Sequence, residues 1–306
     1  MPNTSLFWIH ALTPLHVGAG RGLGYIDLPI VREKVTNFPY IPGSAVKGVI
    51  ADHHNASDKK RNAGSLEAAA FGKADDKDKG IENGANSGSL VFTDARLVCL
   101  PVRSMFGTFA WCTSPTILKR LHRDVTSAGK QIDASCDFND ISDETAMVCG
   151  QSAVVWEGKI YLEDLDIGAK QGNAAEQWAD CIASNLFNEN ERKEFAKHFV
   201  ILSDNVFNFL CETGTEVAAH IKINEQSKTV AEGALWYEES LPAESILMGI
   251  LWCDKAYGKS GLQPSDLLNT YAKSIDFLQF GGKATTGKGI VRCIFDEKKG
   301  NENANS

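Results

Sequence analysis

The amino-acid sequence predicts an α+β protein with a ferredoxin-like core that carries inserted segments. Segments rich in aromatic and β-branched residues recur along the chain, as at 6–17 and 89–102. Segments with the apolar spacing of helices separate them, as at 44–53 and 115–129. No repeat of 20–50 residues is visible. These observations favour a single domain over residues 1–306.

Composition limits the class of protein. The chain has 306 residues, 43% apolar and 23% charged, so it can bury one large core or two modest ones. No run of about eighteen apolar residues occurs, and the N-terminus lacks the basic start and apolar stretch of a signal peptide. We therefore expect a soluble, cytoplasmic protein that does not bind a membrane. The eight cysteines form no C-x-x-C pair, which indicates reduced thiols rather than a zinc site.

The net charge is −8, which argues against non-specific binding of nucleic acid because phosphates are neutralised by clustered Lys and Arg. A local basic groove is compatible with this net charge. Acidic residues gather at 157–166, 187–194 and 238–244, where a basic protein partner is an alternative ligand. The glycine- and turn-rich segments instead contain Arg32, Lys34, Lys47, Lys283 and Lys288.

The first strand is predicted over 6–17 and runs into a glycine-rich loop. His16 lies at its end, where a single histidine more often packs or caps than catalyses. Three prolines and no helical period then indicate an extended loop. A short helix is predicted from Ser44 to about His53, with apolar residues on one face.

Residues 52–88 are polar and glycine-rich apart from one short apolar run, and we expect a mobile insertion there. A strand is predicted over 89–102. The helix predicted over 115–129 has proline in its first turn and glycine past its end, as helix boundaries prefer. Residues 130–199 mix short strands with two helical stretches, and we expect a variable insertion.

Residues 215–242 contain two β-prone arms joined by NEQSKT, which predicts a projecting hairpin that needs a partner to bury it. Two helices are predicted next, an apolar one over 243–252 and an amphipathic one over 264–280. A glycine-rich turn, 281–289, precedes the last strand, and the tail 297–306 is expected to be disordered. The predicted core comprises residues 6–51, 89–130, 200–214 and 243–295.

The stretch from Leu15 to Lys47 has features that suit contact with a polyanion. Glycines let backbone N–H groups approach a phosphate, and a helix start offers unpaired donors. Asp27 does not fit this scheme, because a carboxylate repels phosphate unless a metal ion lies between them or the carboxylate takes part in chemistry. A turn cap before Pro29 is the alternative role for Asp27. The loop contains four glycines, Gly18, Gly20, Gly22 and Gly24.

Three familiar motifs are absent. The dinucleotide fingerprint that starts at Gly20 fails at Tyr25, where its spacing needs glycine. Residues 282–288 fit the first seven positions of a P-loop, but the eighth is Gly289, and a strand is predicted where the motif needs a helix. The serine of CGQSAV lacks the glycine of a nucleophile elbow. An NTPase is therefore a disfavoured alternative.

Six segments taken together resemble a known family. They are His16 with the glycine loop, GYIDLPIVREK, FPYIPGSAVKG, FTDARLVCLPVRSMFGTFAWCTSP, LWYEESLP and GGKATTGKG. This combination is similar to the backbone subunit of type III-B CRISPR effector complexes, a member of the RAMP superfamily. The resemblance runs from about residue 6 to residue 295.

The resemblance implies an RRM-like fold with an extended hairpin, polymerised in several copies along a guide CRISPR RNA. It implies an endoribonuclease of antiviral defence that works with other subunits and cuts single-stranded target RNA at regular intervals with a divalent metal, Mg²⁺. Asp27 takes the place of the catalytic aspartate and of a possible metal ligand, and Thr215–Pro242 takes the place of the hairpin. His16 and Glu238 are weaker candidates. A non-catalytic guide-RNA scaffold is the alternative function.

RNA contacts are expected from the glycine loops and the basic residues beside them, because helix starts and glycine turns present amides to phosphates. A solvated lysine is the alternative interpretation of Lys47. Cleavage by a 2′-OH needs in-line geometry that stacked A-form RNA denies and that a flipped nucleotide supplies. The candidate RNA-binding residues are Gly18, Gly20, Arg21, Ser44, Lys47, Gly281, Gly282, Lys283, Thr285 and Lys288.

Overall fold

The computed structural model of the chain describes residues 3–22, 24–56, 62, 64–73, 86–223, 230–258 and 261–296. The helices are α1 (Gly43–His53), α2 (Leu66–Phe71), α3 (Pro115–Ser127), α4 (Asn173–Leu186), α5 (Glu189–His198), α6 (Asp204–Thr213) and α7 (Pro264–Tyr271). The strands are β1 (Thr4–Ala11), β2 (Tyr40–Ile41), β3 (Gly72–Lys73), β4 (Asn86–Ser87), β5 (Val91–Phe92), β6 (Ala95–Arg103), β7 (Phe109–Thr113), β8 (Thr145–Val148), β9 (Val155–Trp156), β10 (Lys159–Leu162), β11 (Leu165–Gln171), β12 (Phe199–Ile201), β13 (Glu216–Ile223), β14 (Val230–Ser240), β15 (Ile246–Trp252), β16 (Ile275–Gln279) and β17 (Ile290–Phe295).

Four strands build the core in the order β17-β1-β15-β6, and each neighbouring pair is antiparallel. In the chain, α1 lies between β1 and β6, and α7 lies between β15 and β17. This β-α-β-β-α-β succession is that of a ferredoxin-like fold. The predicted fold class is confirmed.

The sheet carries a hydrophobic layer on each face, because β1 at its centre is buried on both sides. Successive side chains of a strand point to opposite faces. Phe7 and Ile9 accordingly pack in the cluster that contains α1 and α7. Leu6 and Trp8 pack in the cluster that contains α3 and α4.

Residues 109–201 extend the same sheet beyond β6, through β7, β12, β8, β11, β10 and β9. The pairs β12 with β7 and β11 with β8 are parallel, so the complete sheet is mixed. The longest described helix is α4, with 14 residues. No helix in the described part of the chain combines the length and hydrophobicity needed to cross a bilayer.

Three connections meet at one end of the core sheet, because β1 is antiparallel to both of its neighbours. The register pairs His10 with Ile246 of β15 and Ala11 with Val291 of β17. The loop that leaves β1, the segment that enters β15 from the hairpin and the loop that enters β17 are therefore adjacent. Most candidate site residues lie on these connections, whereas Ser44 and Lys47 lie in α1 and Glu238 lies in β14.

Two predicted helices were wrong. Residues 243–252 contain β15, a central strand whose side chains are buried on both faces, so the apolar run has no period that separates a strand from a buried helix. The helix predicted over 264–280 stops at Tyr271, and β16 follows. The first strand also ends at Ala11, earlier than predicted, because the chain there turns away from the sheet.

The predicted hairpin is present: β13 and β14 form a two-stranded sheet separate from the main one. Its tip, 224–229, lies outside the described residues. Much of the expected mobile insertion 52–88 also lies outside them, although its described parts contain α2 and the β3–β4 pair. The tail 297–306, expected to be disordered, lies outside the described residues too.

Candidate active site

The glycine loop is one arm of a narrow two-stranded ribbon. Residues 17–22 run antiparallel to residues 27–31, with the amide of Gly22 donating to the carbonyl of Asp27 at 2.9 Å and the amide of Ala19 donating to the carbonyl of Pro29 at 2.9 Å. A Cβ on Gly22 would lie 2.3 Å from the carbonyl oxygen of Ile26, so this close approach requires glycine. The ribbon places Asp27 beside the glycine loop.

Asp27 is exposed, and its carboxylate is fixed by the hairpin. Its Oδ2 accepts a hydrogen bond from the amide of Tyr237 at 2.8 Å. The next residue, Leu28, donates its own amide to the carbonyl of Tyr237 at 3.0 Å. The carboxylate therefore binds a segment 210 residues away rather than capping its own turn. It faces solvent at the root of the hairpin.

His16 is buried between the two glycine loops. Its Nδ1 lies 2.6 Å from the carbonyl oxygen of Glu239, which only accepts, so Nδ1 carries the hydrogen. Its own carbonyl accepts from the amide of Gly282 at 2.9 Å. A Cβ on Gly18 would lie 2.9 Å from His16 Nε2, so the free edge of the ring faces the first glycine loop.

The second glycine loop is exposed from Gly281 to Gly287 and contains the predicted contact Thr285 in a 3₁₀ turn. Left-handed backbone occurs at Gly281, Lys283, Gly287 and Gly289. Only Gly281 of these approaches His16 closely, since a Cβ there would lie 2.1 Å from the His16 carbonyl oxygen. A strand, β17, follows the loop instead of the helix that a P-loop requires.

Glu238 is buried and ion-paired with both lysines of this loop. Its Oε1 lies 2.7 Å from Lys288 Nζ, and its Oε2 lies 3.0 Å from Lys283 Nζ. Burial alone would raise the pKa of Glu238, but the two ammonium groups outweigh burial and lower the pKa below its ordinary value. Glu238 is thus an ionised carboxylate that holds the two lysines together, and those lysines are already engaged before any phosphate arrives.

The start of α1 is less open than predicted. The amide of Gly43 donates to Oδ1 of Asp94 at 2.8 Å. The Asp94 side chain therefore occupies one of the amide donors that we expected to bind a phosphate. Ser44 is exposed in the first turn. Lys47 is half-buried, and a Cβ built on Gly88 would lie 2.8 Å from its Nζ. The exposed Arg21 lies in the first glycine loop.

Sequence reasoning missed Glu239, whose side chain links several segments of the site. It is buried, and its carboxylate pairs with Arg32 at 2.5 Å. The only signal in the sequence is two adjacent acids in a strand, whose side chains face opposite sides. Both are buried in the structure. Nothing local identifies Arg32 as the partner, because 207 residues separate the two.

The arrangement brings together an exposed carboxylate, a buried histidine and two lysines at one end of the core sheet. These are Asp27 and His16, on the loop that leaves β1, and Lys283 and Lys288, on the loop that enters β17. Amide-rich loops and lysines suit a phosphodiester, and a fixed exposed carboxylate suits proton transfer or metal binding beside it. Among the described residues, no cluster of three or more His, Cys, Asp or Glu side chains is arranged to hold a metal ion by itself.

Known proteins resemble this chain over almost its whole length. The family model of the RAMP superfamily matches residues 8–292. The Cmr endoribonuclease Cmr4 of Pyrococcus furiosus is 31% identical over 304 residues, which cover 97% of each chain. The CMR subunit Cmr4 of Saccharolobus solfataricus is 26% identical, over 93% of this chain and 94% of that one.

Solved structures show the same fold. Oligomeric Cmr4 from Pyrococcus furiosus superposes with a TM-score of 0.72 at 24% identity, over 97% of this chain and 99% of that one. A chain of the type III-B Cmr-beta complex bound to cognate target RNA superposes with a TM-score of 0.72 at 21% identity, over 95% and 96%. The chain therefore belongs to the RAMP superfamily and, within it, to the Cmr4 family of CRISPR system subunits.

Proposed function

We propose that this chain is a guide-RNA-binding subunit of a type III-B CRISPR complex and that it cuts complementary target RNA with Asp27. The observation that carries the proposal is the exposed Asp27 carboxylate, held by the Tyr237 amide between the glycine loop and the hairpin root. Two similar proteins support RNA as the substrate class. One is the Cmr endoribonuclease of Pyrococcus furiosus, and the other is a chain of the Cmr-beta complex bound to target RNA. The partners are guide RNA, target RNA, further copies of the chain and other subunits, in the cytoplasm.

The reaction requires a 2′-OH to attack the adjacent phosphorus while the 5′-oxygen leaves in line. Oδ2 of Asp27 is occupied by the Tyr237 amide, and Oδ1 has no hydrogen-bond partner among the described residues. Oδ1 is therefore able to accept the proton of the 2′-OH, and water protonates the departing 5′-oxygen. The amides of the glycine loops and the lysines hold the flanking phosphates.

The residues present fit a magnesium ion that is shared with the substrate. Mg²⁺ commonly keeps several waters and binds one or two protein carboxylates together with substrate phosphates. A single exposed carboxylate, Asp27, meets that requirement, and a closed protein cage is not needed. When bound, the ion would supply charge neutralisation at the scissile phosphate.

Replacing the carboxylate tests the proposal directly. In the assembled complex, Asp27→Asn keeps the side-chain shape and the acceptor for the Tyr237 amide but removes the negative charge. We expect target binding to persist while the single-turnover cleavage rate falls by at least about 100-fold, the scale of a lost acid–base group. Asp27→Ala should give the same result.

The same variants separate the proposal from a passive scaffold. A guide-RNA scaffold whose target is cut by another subunit would cleave at the wild-type rate with Asp27→Asn. Wild-type cleavage by that variant would therefore overturn the assignment.

Omitting Mg²⁺ should also abolish cleavage and leave binding intact, whereas full cleavage in EDTA would exclude the metal. Hydrolysis of ATP by the isolated chain would revive the NTPase alternative.

A further inference from the structure

Glu239 connects several chain segments at the hairpin root through its carboxylate. Oε1 accepts from Arg32 Nη2 at 2.5 Å and from Thr215 Oγ1 at 2.9 Å. Oε2 accepts from the amide of Ile30 at 3.0 Å. The side chain is buried, with 2% of its surface exposed, so these three donors replace its water. The start of the hairpin and two residues of the segment after Asp27, Ile30 and Arg32, are thereby bound to one carboxylate.

The main chain of Glu239 adds two further links. Its amide donates to the carbonyl of Leu28 at 3.0 Å. Its carbonyl accepts from His16 Nδ1 at 2.6 Å. Leu28 follows Asp27 directly, and Tyr237, which holds the Asp27 carboxylate, lies two residues before Glu239. Glu239 therefore contacts the immediate supports of both Asp27 and His16.

Arg32 anchors this assembly to the body of the protein. Its Nη1 donates to the carbonyls of Asn37 and of Cys211, both at 2.9 Å. Cys211 lies in α6, which packs in the core. An ion pair with both partners largely buried resists rearrangement, because separating it would leave a charge without water or partner. The Arg32–Glu239 pair is thus a rigid reference for the exposed loops around it.

We propose that Glu239 is a positioning residue for cleavage, which sets where the Asp27 carboxylate and the His16 ring lie relative to each other. The inference rests on the proposed function, because it assigns Asp27 the reacting role. Glu239 itself touches no reacting atom. Loss of Glu239 slows cleavage by displacing the Asp27 carboxylate, because a displacement of about 1 Å can slow a reaction on the order of 100-fold.

Asp296 offers a matched control for a merely structural role. It is another largely buried carboxylate with the same kinds of partner: a cation, Lys130, a hydroxyl, Ser5 Oγ at 2.6 Å, and a backbone amide, Leu6 at 2.7 Å. It follows β17 at the end opposite the site, six residues after Ile290 and so about 20 Å away at 3.3 Å per residue. Loss of either carboxylate should destabilise the fold similarly.

The experiment compares Glu239→Gln with Asp296→Asn in the assembled complex with guide RNA. The measurements are the single-turnover cleavage rate, the affinity for target RNA and the thermal midpoint. We expect Glu239→Gln to slow cleavage by about 10- to 100-fold with target affinity within about twofold of wild type. Asp296→Asn should stay within about twofold for both, although its thermal midpoint falls.

Hydrogen exchange gives a readout that does not depend on cleavage. In Glu239→Gln, the amides of Leu28 and Tyr237 should exchange faster, because their hydrogen bonds fix the two sides of Asp27. In Asp296→Asn they should exchange as in wild type. If Glu239→Gln does not fold, the double variant R32M/E239M removes both charges together and avoids a lone buried charge. It should fold and show the same slow cleavage.

Two results would overturn the inference. One is wild-type cleavage and unchanged exchange at Leu28 and Tyr237 in Glu239→Gln or in R32M/E239M. The other is an equal loss of cleavage in Asp296→Asn, which would indicate a general stability effect. Asp27→Asn measured alongside separates the two proposals: if it cuts normally the proposed function fails, and if it is inactive while Glu239→Gln cuts normally only the positioning role fails.

Discussion

Two carboxylates of the hairpin root have opposite surroundings. Asp27 is exposed and accepts one neutral amide hydrogen bond, whereas Glu238 is buried between two ammonium groups. A group that must bind a metal or accept a proton needs a free oxygen, and Glu238 has both of its oxygens beside lysines. Its ion pairs instead keep the ammonium groups of Lys283 and Lys288 converged on one carboxylate. Asp27 and Glu238 are both carboxylates, so the difference between their roles follows from their surroundings and not from their residue type.

The ion pairs of Glu238 predict a pH dependence of stability. Its pKa is lowered in the folded state from the ordinary 4.5, so the folded protein favours the ionised form. The stabilisation is complete above about pH 4.5 and disappears as the pH falls further, through the folded-state pKa. At pH 7, Glu238→Gln should lower the free energy of unfolding by about 3 kcal/mol, because it leaves two lysines beside an uncharged amide.

Urea unfolding of wild type and Glu238→Gln at several pH values measures this difference. The difference in unfolding free energy should shrink below pH 4.5. Glu189→Gln, on the exposed start of α5, is a suitable control and should change little across the range. A difference that stays constant down to pH 3 would show that Glu238 is not the titrating group.

Glycines of the second loop provide a test of close approach. Gly281 and Gly287 both have left-handed backbone, with φ of +73° and +79°. A Cβ at Gly287 meets nothing within 4 Å, whereas at Gly281 it meets the His16 carbonyl at 2.1 Å. Gly287→Ala should cost only the left-handed conformation, about 1–2 kcal/mol. Gly281→Ala should cost about 1–3 kcal/mol more and should displace His16.

Urea unfolding compares the two variants, and the exchange rate of the Gly282 amide, which donates to His16, reports the displacement. Equal stability of Gly281→Ala and Gly287→Ala would contradict the close packing of the loop against His16.

At the scale of elements, local signals located helices with clear ends and failed where burial removes the pattern. α1 and α3 were predicted because a Pro-Gly-Ser turn and an N-terminal proline mark their starts. β15 was mistaken for a helix because both of its faces are buried and its sequence is uniformly apolar. The neighbours that make it a strand, β1 and β6, lie far away in the sequence.

The same limit applies to the site. Asp27 and the glycines stand out because their types are unusual for their surroundings, so the sequence identifies them as candidates. The ion pair between Arg32 and Glu239 leaves no local pattern in the sequence. The sequence also placed Lys283 and Lys288 as free phosphate ligands, whereas the fold pairs them with Glu238. Residue types are visible in a sequence, but their pairing depends on the sheet order.

The hairpin has two chemically different faces. Paired positions share a face, so Ile221 and Leu235 lie with Tyr237 on one side, where each is at least 40% exposed. On the other side, His220 stacks on Trp236 with ring centroids 5.5 Å apart, in line with Glu238. Because Glu238 holds the two lysines, the His220–Trp236 face continues the basic loop. We expect this face to contact RNA bases.

Trp236→Ala should weaken target binding of the assembled complex by about 5- to 100-fold, since base stacking on an aromatic side chain contributes about 1–3 kcal/mol. Leu235→Ala, its neighbour on the opposite face, is the matched control and should stay within about twofold. Filter binding or fluorescence anisotropy at fixed salt measures both. A larger loss from Leu235→Ala would assign the RNA to the apolar face instead.

At the scale of the whole molecule, the fold gathers most of the candidate site residues at one end of a sheet, in a chain whose net charge is negative. The net charge is −8, and the lysines of the second glycine loop are neutralised by Glu238. In a single copy these two lysines are therefore paired with a carboxylate before RNA binds. We expect binding along a guide RNA to become strong when several copies act together, because linked sites raise the effective concentration of one another.

The isolated chain should therefore bind single-stranded RNA weakly, with a Kd of about 1 μM or higher at physiological salt. Each phosphate neutralised on a single strand contributes about −0.7 to the slope of log K against log salt, where K is the association constant. With Lys283 and Lys288 as phosphate ligands, we expect a slope of about −1.4 or steeper. Lys283→Gln with Lys288→Gln should make that slope shallower by about 1.4, while Lys159→Gln, on β10, should leave it unchanged. Nanomolar binding by the monomer, or a slope that the double variant does not alter, would show that RNA binds elsewhere on the molecule.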